Sequence, residues 1–181
     1  MGHKRCMLKR SSEEIREGKL MKILIATDGS KFSRAAVEKV CELITNPNET
    51  EIKLVSVFKS PTIATEPFMP ASGYYQKVSE GVEALAASYV KEARGTIENC
   101  LPDVAITEEV VMGIPGQTIV EIAEEWGPDV LVVGSHGRGF WSRALLGSVS
   151  DAVVHHAPCS VLVVRGGPNA LQDSPGAAIA G

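Results

Sequence analysis

The sequence predicts an α/β fold, a doubly wound five-stranded parallel sheet in the order 3-2-1-4-5, and three observations carry that prediction. Short β-branched apolar runs alternate with amphipathic helical stretches along the chain, the pattern of right-handed βαβ crossovers. Two of the runs, Lys22–Thr27 and Val130–Val133, are apolar almost throughout, as central strands covered on both faces are. Each of the two opens into a small polar loop with glycine and then a helix, through Asp28-Gly29-Ser30 and Ser135-His136-Gly137-Arg138-Gly139. In an open α/β sheet ligands sit at the carboxyl ends of the strands, where the strand order reverses. With strands one and four adjacent, Asp28 and Gly134 face one crevice.

Bulk composition bounds the remainder. The chain has 181 residues, 44% of them hydrophobic and 22% charged, which suits one globular domain with tails. A formal charge of −4 gives no basic footprint for nucleic acid, and no apolar run approaches the ~20 residues of a membrane span. Basic residues near the start are not followed by the apolar core of a secretory signal. The four cysteines, Cys6, Cys41, Cys100 and Cys159, are far apart and form no C-x-x-C or zinc-spaced cluster. Free thiols in a reducing, cytoplasmic setting are therefore expected, with Cys41 among apolar helix positions as a core residue.

The elements follow in order. Residues 1–20 are polar and charged and are expected to be a flexible extension; the domain is expected over 21–165, with 166–181 a disordered tail rich in Gly, Pro, Ala and Ser. After strand Lys22–Thr27, a helix is expected over Ser33–Ile44, with Ala36, Val37, Val40, Cys41 and Ile44 at helical spacing. Pro47-Asn48 breaks the chain before strand Glu51–Phe58. Lys59–Tyr75, rich in Pro, Ser, Thr and Gly, reads as an irregular loop, with Tyr74 and Tyr75 as helix-packing residues at its end. A long helix is expected over Gln76–Cys100 with the stripe Val82, Leu85, Ala86, Tyr89, Val90, Ala93 and Ile97. Strand Val104–Met112, the loop Gly113-Ile114-Pro115-Gly116 and helix Gln117–Trp126 come next, ended by Gly127-Pro128. A short helix from Ser148 to His156 and a fifth strand, Ser160–Val164, complete the set. His155 and His156 suit the negative end of that helix better than a metal.

The stretch Asp129–Ser150 carries the chemistry. A strand running into glycines and then a helix start brings backbone N–H groups and a positive dipole end to one place, a recipe for holding phosphate. Arg138 and Arg143 add charge, and Ser148 and Ser150 add hydroxyls. The stretch is not a Walker loop, which needs G-x-x-x-x-G-K-[ST], nor the dinucleotide fingerprint G-x-G-x-x-G. Read as G-x2-G-x9-G-[ST], it fits Gly134, Gly137, Gly147 and Ser148.

That motif resembles the nucleotide-binding motif of the universal stress proteins. The likeness extends over about Met21–Arg165 through KILIATDGS, VVMGIPGQTIVEIAEEWGPDVLVVGSHGRG and LLGSVSDAVVHHAPCSVLVV. It implies a Rossmann-like fold, of the adenine nucleotide alpha hydrolase kind, that binds ATP with Mg²⁺. Carried over position by position, it implies that Ala26, Thr27 and Asp28 line the adenosine site, with Asp28 near the ribose. Val57 would flank adenine, and Met112 and Gly113 would form the opposite wall. Gly134, Gly137, Gly147, Ser148, Val149 and Ser150 would cradle the phosphates, Arg138 would add charge to them or face solvent, and Val133 and His136 would complete the nucleotide site. The bulky Phe140-Trp141-Ser142 has no assigned side.

The resemblance also implies a cytoplasmic homodimer pairing through the edge strand Ser160–Val164, where an exposed apolar edge invites a second chain. The leading functional expectation is a nucleotide-dependent stress-response or signalling protein with no catalytic residue and at most slow ATP hydrolysis. His136 is the nearest titratable side chain, and ordering the turn is its ordinary role. The alternatives are a sensor of AMP or another adenine nucleotide, and a dimeric interaction module with no nucleotide. Neither the stress nor a protein partner is named by the sequence.

Overall fold

The computed structural model describes residues 20–60, 71–137 and 146–166, with 71–75 as backbone. The strands are β1 (Met21–Ala26), β2 (Thr50–Phe58), β3 (Ala105–Met112), β4 (Val130–Gly134) and β5 (Ser160–Val164). The helices are α1 (Lys31–Leu43), α2 (Ala71–Cys100), α3 (Pro115–Trp126) and α4 (Ser148–His156), and a 3₁₀ turn, Pro47–Glu49, precedes β2. All strands run parallel in the order β3-β2-β1-β4-β5, as expected. The order reverses between β1 and β4, where Ile25 pairs with Val132.

Alternation along the strands builds two cores, one on each face. On one face Ile23, Ile25, Ile52, Leu54 and Val132 pack against Ala36, Val37 and Val40 of α1 and Val90, Ala93 and Ile97 of α2. On the other, Leu24, Ala26, Val55, Leu131 and Val133 pack against Ile119, Ile122 and Ala123 of α3 and Val153 of α4. Burying a single Leu or Ile of this kind is worth about 1.5–3 kcal/mol.

Three expectations are corrected. The long helix begins at Ala71, inside the stretch read as loop; Gly73 and the polar composition pointed to a loop, but packing of the later turns carries the helix back through them. Helix α3 begins at Pro115, so Pro115 and Gly116 are its first turn; proline at the first helical position lacks an N–H that would be unpaired there anyway. Leu85, assigned to the apolar stripe, is exposed, and Leu101 is buried in its place at the far end.

The cysteine expectation is also corrected. Cys41 and Cys100 form a disulfide, with Cα atoms 6.0 Å apart. Their sequence separation of 59 hid the pairing. Helices α1 and α2 lie on the same face of the sheet, and the last turn of each reaches the same place. Cys159 is a free, half-buried thiol, and burial pushes its pKa up. Cys6 lies outside the described residues, as do the expected tails apart from Leu20 and Gly166.

Candidate functional site

In a parallel sheet every helix that follows a strand starts at the carboxyl edge. The first turns of α1, α3 and α4 therefore converge above β1 and β4. A cleft of about 510 Å³ lies among them, lined from β1, β2, β4 and the helix starts.

The β1 side is built by Thr27-Asp28-Gly29-Ser30. The Thr27 N–H donates to the Val55 carbonyl at 2.9 Å and extends the ladder by one bond. Asp28 Oδ1 accepts from the Ser30 N–H at 3.1 Å, closing an Asx turn. Ser30 caps α1, its Oγ accepting from the Ser33 N–H at 3.2 Å. The Thr27 and Ser33 hydroxyls meet at 3.3 Å.

The β4 side depends on close approach. A Cβ on Gly134 would lie 2.6 Å from the Phe32 carbonyl carbon and 2.8 Å from the Ser33 nitrogen, so only glycine lets β4 end against the first turn of α1. A Cβ on Gly137 would lie 2.8 Å from Asp28 Oδ2. The Asp28 carboxylate thus sits directly beside the glycine loop.

Ser135, just after β4, is stapled to Gly147 and the start of α4. The Ser135 N–H donates to the Val164 carbonyl at 2.8 Å, and the Gly147 N–H donates to the Ser135 carbonyl at 2.9 Å. Ser150 Oγ donates to both the Ser135 and Gly147 carbonyls at 2.9 Å. Ser135 and Ser150 are 1% and 2% exposed, so Ser150 anchors the loop with its hydroxyl. His136 rests against Phe32, ring centres 5.2 Å apart, and its Nδ1 is 3.1 Å from Ser135 Oγ. Helix α4 starts at Ser148 behind Gly147, with no side chain capping it, which leaves its first N–H groups and its dipole end to the cleft.

Of the expected site residues, the cleft is lined by Ala26, Thr27, Asp28 and Val57, by Val133, Gly134, His136 and Gly137, and by Gly147, Ser148, Val149 and Ser150. Met112 and Gly113 are not in its wall. Val111 belongs to the α3–α4 face with Val57, so Met112, the next residue, projects from the opposite face and is 58% exposed. Arg138, Arg143 and Phe140-Trp141-Ser142 lie outside the described residues.

The cleft also takes in Ser33, Val55, Lys59, Pro115 and Ile119, which the sequence reading left out. Lys59 could have been found, because period-two alternation places it on the same side as Val57. Among the described residues no group of three or more His, Cys, Asp or Glu could hold a metal ion, and no helix is long and apolar enough to cross a membrane.

A second cleft, of about 440 Å³, lies at the amino end of the sheet between Leu43 and Ile44 of α1 and strands β1, β4 and β5. It faces the carbonyl end of α1, where the helix dipole is negative, and no glycine lines it.

Comparison with known proteins agrees with this architecture. The family model described as "Universal stress protein family" matches residues 19–165. The chain belongs to this family. Among curated universal stress proteins, MJ0531 of Methanocaldococcus jannaschii is 32% identical over 80% of this chain and 81% of its own. MJ0577 of the same organism is 33% identical over 80% of this chain and 94% of its own. Among solved structures, the universal stress protein UspA from Lactobacillus plantarum superposes with a TM-score of 0.66 at 23% identity, over 81% of this chain and 99% of its own. A universal stress protein family member from Arabidopsis thaliana with AMP bound gives 0.62 at 22%, over 86% and 97%. A universal stress protein in complex with cAMP gives 0.58 at 23%, over 82% and 99%. At these identities the solved structures speak for the fold.

Proposed function

We propose that this universal stress protein binds ATP, accompanied by Mg²⁺, in the cleft at the carboxyl edge of its sheet and acts as a nucleotide-dependent stress-response or signalling protein. The observation that carries the reading is the convergence of Gly134, Gly137 and Gly147. Each stands where a Cβ would meet backbone or the Asp28 carboxylate, and Gly147 leads into the uncapped start of α4. Backbone N–H groups and a helix dipole are what a phosphate chain needs. That two family members carry AMP and cAMP, in the words of their descriptions, is in keeping with an adenine nucleotide on this fold.

In this reading Ala26, Val55, Val57 and Ile119 give the base an apolar floor. Asp28 takes the ribose hydroxyls or a magnesium-bound water, and the loop and Ser148 take the phosphates. Magnesium would be held mainly by phosphate oxygens and water. The described titratable side chains nearest the glycines are Asp28, occupied by the ribose or magnesium-bound water in this reading, and His136, which lies against Phe32 and Ser135; the reading is binding with at most slow hydrolysis. The two-fold dimer belongs to the same reading. Among the described residues strand β5 pairs with β4 alone, which leaves its outer edge for a second copy of the chain in this reading.

The test is calorimetric titration of nucleotide-stripped protein with ATP, AMP and GTP, with and without Mg²⁺, beside a Gly137→Val, Ser148→Ala variant. ATP binding lost in the variant supports the reading. Preference for AMP turns it toward an adenylate sensor, and no binding of any of the three overturns it.

A further inference from the structure

We propose that Tyr89 of α2 is a positioning residue for the nucleotide cleft: its ring holds the Asp28-Gly29 turn from behind, so that the Asp28 carboxylate stays against Gly137. The inference rests on the nucleotide reading for its functional consequence, and on contacts alone for its mechanical part.

Gly29 has φ +70°, in the left-handed region, where glycine carries no steric penalty and also no side chain to limit its motion. The hydrogen bonds that shape the turn are local. Gly29 N–H reaches Thr27 Oγ1 at 3.4 Å, Ser30 N–H reaches Asp28 Oδ1 at 3.1 Å, and Ser33 N–H reaches Ser30 Oγ at 3.2 Å. Local bonds of this kind move with the turn as a unit, so its orientation has to be set from outside.

From the sheet side, the bond from Thr27 N–H to the Val55 carbonyl fixes the chain just before Asp28. From the helical side, Tyr89 lies on Gly29 itself. A Cβ added there would overlap Cδ1 and Cε1 of the ring and lie 2.8 Å from Cγ. The ring thus packs directly on Gly29, and the missing side chain is the space it fills. One turn away on the same face of the sheet, Arg34 of α1 grips Glu92 of α2 through Nε at 2.6 Å and Nη2 at 3.3 Å. That pair is exposed, lines one small cavity with Thr27, Gly29 and Tyr89, and its guanidinium feels the Asp28 charge, but it joins the helices through their side-chain ends. Tyr89 is the α2 side chain that packs on the turn's glycine itself: it transmits the position of α2 to the residue next to Asp28, whose Oδ2 lies 2.8 Å from the Cβ position of Gly137. Removing the ring opens space at the residue with the widest backbone freedom, and the carboxylate loses its fixed place.

The experiment compares wild type, Tyr89→Phe, Tyr89→Ala and Glu92→Ala by ATP titration and by hydrogen exchange of the nucleotide-free proteins. Tyr89→Phe keeps the ring and should bind ATP within about twofold of wild type, whereas Tyr89→Ala should weaken binding about tenfold, the size of one well-placed hydrogen bond to a charged group. Exchange in the free protein should rise at Ser30 and Ser33 in Tyr89→Ala and not in Glu92→Ala. Full affinity in Tyr89→Ala, or an equal loss in Glu92→Ala, overturns the proposal. Should wild type bind no nucleotide, the function proposed above fails by itself. The exchange arm still decides the mechanical part, because unchanged protection at Ser30 and Ser33 in Tyr89→Ala refutes it without any ligand.

Discussion

Replacing Cys41 and Cys100 together by serine tests how much of the fold's stability comes from tying α1 to α2. The bridge spans a sequence separation of 59, and loop-closure entropy removed from an unfolded chain by a loop of that size corresponds to about 4 kcal/mol at 25 °C. Two things reduce the expected loss. The serine hydroxyls find water at these partly exposed helix ends, and the buried turns of α1 and α2 still pack through Val37, Val40, Val90 and Ile97. A loss of about 2–4 kcal/mol is expected, a large share of the 5–15 kcal/mol typical of a domain. Urea unfolding followed by circular dichroism measures it, with and without reductant, after a non-reducing peptide map has confirmed the 41–100 link. With a slope near 2 kcal/mol/M, the midpoint should fall by about 1–2 M. Reductant should lower wild type to the same midpoint and leave the variant unmoved. A loss below about 1 kcal/mol in a protein shown to be bridged would refute the chain-entropy argument.

Four other outcomes are expected. Gly134→Ala should cost about 1–3 kcal/mol, because the new methyl meets the Phe32 and Ser33 backbone, whereas Gly137→Val displaces only a carboxylate and should leave the melting midpoint nearly unchanged while abolishing ATP binding; thermal melts beside titrations separate the two. Ser150→Ala should cost about 1 kcal/mol by the same melts, since the Ser135 and Gly147 carbonyls each keep a second donor, from Gly147 and Asp151. Val163→Pro should yield a monomer by light scattering with its helical signal intact. The Val164 carbonyl faces β4, so Val163, one residue away, turns its N–H outward to the edge, where proline is tolerated. Cys159, its thiol pKa raised by burial, should alkylate more slowly than a free cysteine at pH 7–8 and gain on it as pH rises, because the thiolate is the reacting species; a rate equal to that of free cysteine would contradict the direction of the shift.

The strands were legible because apolar runs bounded by glycine and proline admit few other readings, and their parallel order follows from the alternation with helices. The glycine stretch was legible because its spacing matches one frame and misses two others. What the sequence hid are matters of three-dimensional packing. The meeting of Cys41 and Cys100 depends on two helices ending at one point on one face, which no local pattern encodes. The first turn of α2 reads as loop because propensity loses there to the helix that continues beyond it. That Met112 does not line the cleft has a simpler reason. Strand parity was available, but whether Val111 or Met112 shares a face with Val57 depends on the β2–β3 register, which pairs Val57 with Val111 and Phe58 with Met112.

The cleft's two properties have separate origins in the chain. In the proposed reading, affinity for an anion comes from topology, since right-handed crossovers on a parallel sheet deliver the starts of α1, α3 and α4 to the same edge whatever their side chains. Access for an anion comes from composition, because backbone N–H groups can be approached closely only where Cβ atoms are absent. At Gly134 the two requirements merge, since glycine there lets the strand end against α1. At Gly137 they part, since glycine there serves only the space shared with Asp28. A member of the same family could therefore keep the sheet, keep glycine at the first position and lose the ligand by change at the second. That makes the identity of residue 137 the informative difference between a chain of this fold that binds phosphate and one that does not.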